Sequence, residues 1–295
     1  MERNIQLRDG RILRENDLQD VSVVGGGSIN QTEVWTYESK HGSIQKFFVK
    51  RNQNANTDFF ECEARGLDLL RSVKDGPATP EVLYVSQHLL ILEHLELIDG
   101  GQVGDADFAR RLAVVHREEQ MFFGLEESNY LGHTIQKNEI YTDGVAFYRE
   151  CRIGYLQEKL RAVNKLPLEM DVVIDRICER MELFCPAEPP AIVHGDLWSG
   201  NWSHVQSSSG SNFGCYFDPA AYVGYRESDL AMMRLFGRPS KRFWEVYTSE
   251  LPLEKGYEER ELVFQLYHIL NHVLMFGRTY HRMLAAQLSK INRLL

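Results

Sequence analysis

Long apolar segments are missing from this 295-residue chain. Its longest apolar runs, such as LLIL at 89–92, are far too short to cross a bilayer. The N-terminal stretch 1–17 is charged throughout and lacks the apolar core of a secretory signal. We therefore expect a cytoplasmic protein with no membrane partner.

Basic residues are scarce relative to acidic ones. Lysine and arginine total 33 against 42 aspartates and glutamates, which gives a formal net charge of −9. Nonspecific binding to nucleic acid requires a basic surface, so we expect no nucleic-acid partner.

Cysteine is limited to five residues, and no two of them form a C-x-x-C motif. An odd number at irregular spacing indicates neither a disulfide framework nor a zinc site. We expect reduced, partly buried thiols at Cys62, Cys151, Cys178, Cys185 and Cys215.

The pattern of apolar residues divides the chain into two parts. Alternating apolar residues predict strands at 20–24, 32–39, 44–51 and twice within 81–97, with one helix at 57–73. Later, helical periodicity dominates at 105–117, 143–162, 170–184, 227–236 and 257–276, with short strands at 191–195 and 215–219. We predict an α+β fold with a β-rich N-terminal lobe (1–95) and a mostly α-helical C-terminal lobe (96–295). One mixed α/β domain is the alternative.

A polar run, HGDLWSGN at 194–201, follows one of the short strands of the second part. Asp196 and Asn201 have the interval that separates the base from the metal-binding asparagine in protein kinases, and His194 precedes the aspartate as in that motif. An irregular loop can direct the carboxylate to an attacking hydroxyl and the amide oxygen to magnesium. A polar turn is the alternative.

Three other residues occupy positions that suit phosphoryl transfer. Asp218 ends a later apolar strand, where a carboxylate can ligate Mg²⁺, although a turn explains it too. Lys50 ends the strand KFFVK and could contact phosphates if a glutamate of the next helix holds it. Glu63 is favoured over Glu61 because helical spacing places it on the apolar side.

A glycine-rich turn, VGGGSINQ, separates the first two predicted strands and contains Gly25, Gly26, Gly27 and Ser28. Glycine lets backbone N–H groups approach phosphate oxygens closely. The turn matches neither the kinase glycine-rich motif nor the P-loop, and a tight hairpin explains it equally well. The order of turn, lysine, glutamate, Asp–Asn pair and aspartate nevertheless predicts a bilobal phosphotransferase.

Longer motifs carry a family resemblance that extends from about residue 15 to 290. With FFVKRN, FECEARGL, VHGDLWSGNW and FDPAAYVGYRESDLAMMRLFG, the chain resembles the fructosamine kinase or ketosamine-3-kinase family, an aminoglycoside phosphotransferase-like branch of the protein-kinase-like fold. The resemblance implies ATP- and Mg²⁺-dependent phosphorylation of the 3-hydroxyl of a fructosamine or ribulosamine, as a small ketoamine or on a glycated protein. Monomer and homodimer both stay open.

The resemblance also implies roles in catalysis and nucleotide binding. By this resemblance Asp196 is the base, and Asn201 and Asp218 bind magnesium. Lys50 contacts the phosphates, and Glu63 positions Lys50. Residues 25–30 would cover the phosphates. Adenine would be bound by backbone groups of Glu93, His94 and Leu95.

Further implied roles concern the acceptor and the catalytic loop. Trp198, His268 and His272 would line the sugar side, although core aromatic residues fit the sequence as well. His194 and Asp229 would support the loop.

Two other functions are alternatives to this one. A small-alcohol kinase of the aminoglycoside or choline type would use the same fold with another acceptor. A non-catalytic ATP-binding module would lack the base or a metal ligand, and the sequence contains both.

Overall fold

The computed structural model describes residues 4–14, 17–25, 30–38, 42–206, 210–237 and 239–295. Its first part is an N-terminal hairpin followed by an antiparallel five-stranded sheet in the order β3-β4-β5-β7-β6. The strands are β1 (Asn4–Gln6), β2 (Ile12–Arg14), β3 (Leu18–Val24), β4 (Gln31–Glu38), β5 (Ile44–Arg51), β6 (Val82–Ser86) and β7 (Leu89–Glu93).

One helix, α1 (Phe59–Arg71), covers one face of this sheet. Phe60, Ala64 and Leu67 recur at helical spacing and pack against Leu90 and Leu92 of β7. Because the hairpin β1–β2 covers the opposite face, the central strands are buried on both sides. This packing fixes the positions of β5, which carries Lys50, and of α1, which carries Glu63.

The second part is mostly helical. Its helices are α2 (Gly101–Arg117), α3 (Gly144–Tyr148), α4 (Gly154–Ala162), α5 (Leu168–Glu179), α6 (Glu227–Leu235), α7 (Lys241–Glu250), α8 (Tyr257–Phe276) and α9 (His281–Ile291). A π-helical turn (Arg149–Ile153) joins α3 to α4, and 3₁₀ turns lie at Met181–Phe184 and Gly277–Tyr280. In the described part of the chain, every helix is too short or too polar to span a bilayer.

Short strands in this second part hold the loops of the site. β12 (Trp202–Gln206) pairs with β13 (Asn212–Tyr216) and with β8 (Leu97–Ile98). The other two pairs are β11 (Ala191–Val193) with β14 (Tyr222–Gly224), and β9 (Asn129–Leu131) with β10 (Thr134–Gln136). The polar run 194–201 therefore connects the end of β11 to the start of β12.

The predicted α+β architecture, with a sheet first and helices afterwards, is confirmed. Two helices, α7 and α9, were not predicted. α7 begins at a Ser240 cap whose hydroxyl accepts from the N–H of Phe243, and its sequence is rich in charge. Six strands that were not predicted, β1, β2, β8, β9, β10 and β14, have only two or three residues, which is too short for a periodic pattern. The five-residue β12 also lies outside the predicted ranges.

Candidate active site

A cleft of about 500 Å³ is lined by both parts of the protein. β5 contributes Lys50 and α1 contributes Glu63, whereas Asp196 and Asn201 come from the β11–β12 loop and Asp218 follows β13. These residues are scattered over most of the sequence. The fold brings all five to the wall of one cavity.

Lys50 joins the two parts through its ammonium group. Its Nζ lies 2.5 Å from Glu63 Oε1 and 2.5 Å from Asp218 Oδ1, and the lysine is only 2% exposed. Burial alone would lower the Lys50 pKa, but the charges of Asp218 and Glu63 outweigh it and raise that pKa. Lys50 is therefore a fixed positive charge. Glu61, the other glutamate considered from the sequence, is half-exposed on the surface of α1.

Asp218 has a left-handed backbone conformation, with φ of 57°. This conformation is uncommon outside glycine, and it is held where the surrounding structure compensates for its cost. The Asn201 side chain helps, since its Nδ2 donates to the Asp218 carbonyl oxygen at 3.3 Å. With Oδ1 on Lys50, Asp218 keeps its other carboxylate oxygen for a cation.

Asp196 and Asn201 interact directly. Asn201 Nδ2 donates to the Asp196 carbonyl oxygen at 2.8 Å and to its Oδ2 at 3.1 Å, so the amide oxygen of Asn201 is left for another partner. Burial, followed by the negative charge of Asp218, raises the pKa of Asp196 to about 7. A carboxyl group with such a pKa is suited to exchange a proton near neutral pH.

The loop is held in place by a buried carboxylate on α6. Asp229 Oδ2 accepts from the N–H of His194 at 2.7 Å, and its Oδ1 accepts from the N–H of Gly195 at 2.9 Å. His116 Nε2 also donates to Oδ2 at 3.2 Å. Burial raises the pKa of Asp229, but the hydrogen bonds from His116 and from the His194 N–H outweigh it, and the pKa lies below its ordinary value.

His194 fixes the loop from inside. Its Nε2 donates to the Phe217 carbonyl oxygen at 2.9 Å, and its Nδ1 accepts from the N–H of Asp196 at 3.3 Å. Burial lowers the His194 pKa, so the ring is neutral, as this donor–acceptor pattern requires. The histidine thereby connects the Asp196 loop to the strand end before Asp218.

Gly195 is required by the path of the chain. Its φ is +81°, and a Cβ at this position would lie 2.2 Å from the Ala220 carbonyl oxygen. A side chain here would be strained by the backbone conformation and would also clash.

A second cavity of about 320 Å³ is lined by Glu93, His94 and Leu95, which follow or end β7. Its other walls are mainly apolar and include Val34, Phe48, Leu92 and Phe217, and Asp218 borders both cavities. A flat aromatic base fits such apolar walls, with backbone groups available for hydrogen bonds.

Of the glycine-rich turn, Gly25 is exposed directly after β3, and Gly26, Gly27 and Ser28 lie outside the described residues.

The three residues expected on the sugar side all line the cleft. Trp198 is 37% exposed and covers Gly200, so it is not a core residue. His268 is buried, and its Nδ1 has no hydrogen-bond partner within the described protein. His272 contacts Phe236, with 4.6 Å between ring centroids.

Sequence reasoning missed several residues of the site. His116 lies on the buried face of α2 and accepts from the Tyr247 hydroxyl at 2.8 Å, opposite its bond to Asp229. Asn271, one turn from His268, lines the cleft, and its buried Oδ1 has no hydrogen-bond partner in the described part of the chain. The only signal in the sequence was a polar residue on an otherwise apolar helix face, which is weak evidence of a site.

Comparison with known proteins gives a consistent result. A family model described as fructosamine kinase matches residues 3–294. A candidate ketoamine kinase of Vibrio parahaemolyticus is 34% identical over 294 residues, which cover 97% of this chain and 96% of its own. The chloroplastic protein-ribulosamine 3-kinase of Arabidopsis thaliana is 31% identical and covers 90% of this chain and 81% of its own.

Solved structures agree with the sequence relatives. The crystal structure of a candidate fructosamine-3-kinase from Thermobifida fusca has a TM-score of 0.82 at 27% identity and covers 94% of both chains. An ADP-bound aminoglycoside phosphotransferase has a TM-score of 0.58 at 16% identity over 93% of this chain and 92% of its own, which shows a common fold alone. The chain therefore belongs to the fructosamine kinase family of ATP-dependent phosphotransferases, with a protein-kinase-like fold.

Proposed function

We propose that this protein is a ketosamine-3-kinase, which transfers the γ-phosphoryl group of ATP to the 3-hydroxyl of a fructosamine- or ribulosamine-type glycation product. The proposal rests on one observation above all: Lys50, Glu63, Asp196, Asn201 and Asp218 converge on one cleft. Family membership supports the choice of acceptor. The phosphorylated ketosamine then decomposes and releases the amine, which makes the reaction a repair of glycated amines.

In this proposal Asp196 orients the acceptor hydroxyl and takes its proton. Its raised pKa, about 7, lets it hold the proton transiently at neutral pH. Lys50, kept charged and immobile by Glu63, contacts the nucleotide phosphates, and its positive charge stabilises the transfer.

Asn201 and Asp218 have the oxygen ligands that a magnesium ion requires. Each keeps one side-chain oxygen free of the hydrogen bonds described above, and Mg²⁺ in kinases is held by one or two such oxygens together with phosphate oxygens. When bound, magnesium would neutralise the charge on the transferred phosphoryl group.

ATP would place its adenine in the 320 Å³ cavity against the backbone of residues 93–95. Its phosphates would then extend past Asp218, the residue shared by the two cavities. That Gly25, Gly26, Gly27 and Ser28 cover these phosphates stays a prediction from the sequence. We accordingly place the nucleotide-binding lobe at 1–95 and the catalytic lobe at 96–295.

The sugar would lie between Trp198 and the deep wall of the cleft. The apolar face of a sugar ring or chain suits the exposed indole of Trp198. Among the described residues, His268 Nδ1 and Asn271 Oδ1 are buried atoms without a hydrogen-bond partner. A sugar hydroxyl can donate or accept, so a hydroxyl that reached either atom would satisfy it.

An aminoglycoside acceptor is disfavoured by the charges of the cleft. Among the described residues that line it, the carboxylates are Glu63, Asp196 and Asp218, and all three already have roles. A polycationic aminoglycoside would require further carboxylates to bind its ammonium groups.

The test is Asp196→Asn, assayed with labelled ATP and a panel of ribulosamine, fructosamine and aminoglycoside acceptors. We expect kcat to fall at least about 10²-fold, since the base is lost, while the Kd for ATP stays within about twofold. Asp68→Asn, which changes an exposed carboxylate of α1, is the control. Normal turnover by Asp196→Asn would refute the proposal, and a preference for aminoglycosides would move it to the alternative acceptor class.

A further inference from the structure

Part of the cleft wall is built from aromatic rings around His272. Its ring centroid lies 4.6 Å from that of Phe236, 4.8 Å from Tyr280 and 5.6 Å from Phe276. Phe276 and Tyr280 also contact each other at 5.7 Å, and all four residues line the cleft. We call Phe236, His272, Phe276 and Tyr280 the aromatic cluster.

The protonation of His272 follows from its hydrogen bond. Nδ1 lies 2.7 Å from the His268 carbonyl oxygen, and because a carbonyl can only accept, Nδ1 carries the proton. Burial lowers the pKa of His272, so the ring is neutral and Nε2 is an acceptor. The aromatic cluster thus offers ring faces and one lone pair, without a positive charge.

The rest of the cleft wall also offers little positive charge. Among the described lining residues the only cationic side chain is Lys50, which is paired with Glu63 and Asp218. An acceptor carboxylate close to the sugar would therefore meet no free cation in that part of the wall. An acceptor ammonium could instead lie over aromatic faces, which attract cations.

We propose that the aromatic cluster binds the protonated amine of the ketosamine and the first carbons of its aliphatic arm. This inference rests on the proposed function and names the amine that it prefers: an alkylamine that is protonated at neutral pH. The amine is attached to carbon 1 of the sugar and the reacting hydroxyl to carbon 3, so both fit within one cleft. Phe276, 46% exposed, marks the side where the arm reaches solvent.

Two acceptors with the same sugar separate charge recognition from simple packing. One is the ketosamine on Nε of Nα-acetyl-lysine methylamide, and the other is its ether analogue, in which an uncharged oxygen replaces the amine nitrogen. We expect the wild-type kcat/KM to be about tenfold higher for the amine, with most of the difference in KM.

Variants then assign that preference to the rings. Phe276→Leu keeps an apolar side chain but removes the aromatic face, and we expect it to reduce the amine-to-ether ratio to about threefold. Phe276→Tyr keeps the face and serves as the matched control, with the ratio unchanged. Tyr280→Leu should act in the same direction as Phe276→Leu.

The outcomes distinguish this inference from the proposed function. If the wild type phosphorylates amine and ether equally, or if both leucine variants keep the full ratio, the aromatic cluster does not recognise the ammonium, and the kinase assignment stands. If the wild type phosphorylates neither compound, the proposed function itself fails and the inference falls with it.

Discussion

Replacing Asp229 with asparagine separates the support of the catalytic loop from the chemistry within it. Asp229 is 1% exposed and accepts hydrogen bonds from the backbone N–H groups of His194 and Gly195 and from His116. Asparagine has almost the same shape, but one of its two oxygens becomes an NH₂ group. The side chain at position 229 also touches none of the residues that we assign to ATP or acceptor binding.

The expected loss of stability follows from these contacts. His116 can move its proton to Nδ1 and accept from the new amide, but a backbone N–H has no such freedom. One buried N–H therefore faces a donor, which costs about 1–3 kcal/mol, and the loss of the acceptor's charge weakens the other bond by about 1 kcal/mol. A total of about 3 kcal/mol lowers the melting temperature by about 6 °C.

Turnover should fall as well, because His194 and Gly195 immediately precede Asp196. A displacement of about 1 Å at the base is enough to reduce kcat about 100-fold, so we expect a loss of about 10- to 100-fold. The KM for ATP should change little, since Lys50 and the adenine cavity do not contact Asp229. Steady-state kinetics well below the melting temperature measures both constants.

Glu227→Gln is the matched control, two residues earlier on α6. Glu227 is fully buried and binds Arg260 through both oxygens, at 2.6 and 2.8 Å, without touching the catalytic loop. We expect it to lose comparable or greater stability, about 3–5 kcal/mol, and to keep its kcat when folded. Equal losses of kcat in both variants, or an unchanged kcat in Asp229→Asn, would refute the reasoning.

Three more predictions concern the same loop. The kcat/KM should rise about tenfold per pH unit up to about 7 and then level off, because Asp196 acts as a base only when ionised; a flat profile between pH 5 and 8 would contradict its raised pKa. That pKa lies above the ordinary 3.8, so ionised Asp196 lowers the stability of the folded protein as the pH rises from about 4 to 7. Asp196→Asn should therefore be more stable than the wild type at pH 8, by at most about 4 kcal/mol. Urea melts at several pH values should show this gain shrinking toward pH 4. Gly195→Ala should abolish folding or turnover because its Cβ meets the Ala220 carbonyl oxygen, whereas Gly210→Ala, with similar φ and open space, should cost about 1 kcal/mol and no activity.

The order of elements was predictable because it depends on local patterns. The strands around Lys50, the helix with Glu63 and the central helix α8 all have a clear period of apolar residues. β9 and β10 form a local hairpin whose strands are too short for a periodic pattern. β14 forms only where β11, a remote segment, supplies its partner, and β11 was found because it is wholly apolar. Local sequence carries little information about such pairings.

By itself, the sequence determined which chemical groups are present and in what order: a strand lysine, a helix glutamate, an Asp–Asn pair and a strand-end aspartate. The tertiary structure decided how these groups act. Lys50 and Asp218 are 168 residues apart yet 2.5 Å from each other, and Asp196 has a pKa near 7 only because it is buried beside Asp218. Distances and burial arise from the packing of remote segments, and they set the electrostatic energies on which the site depends.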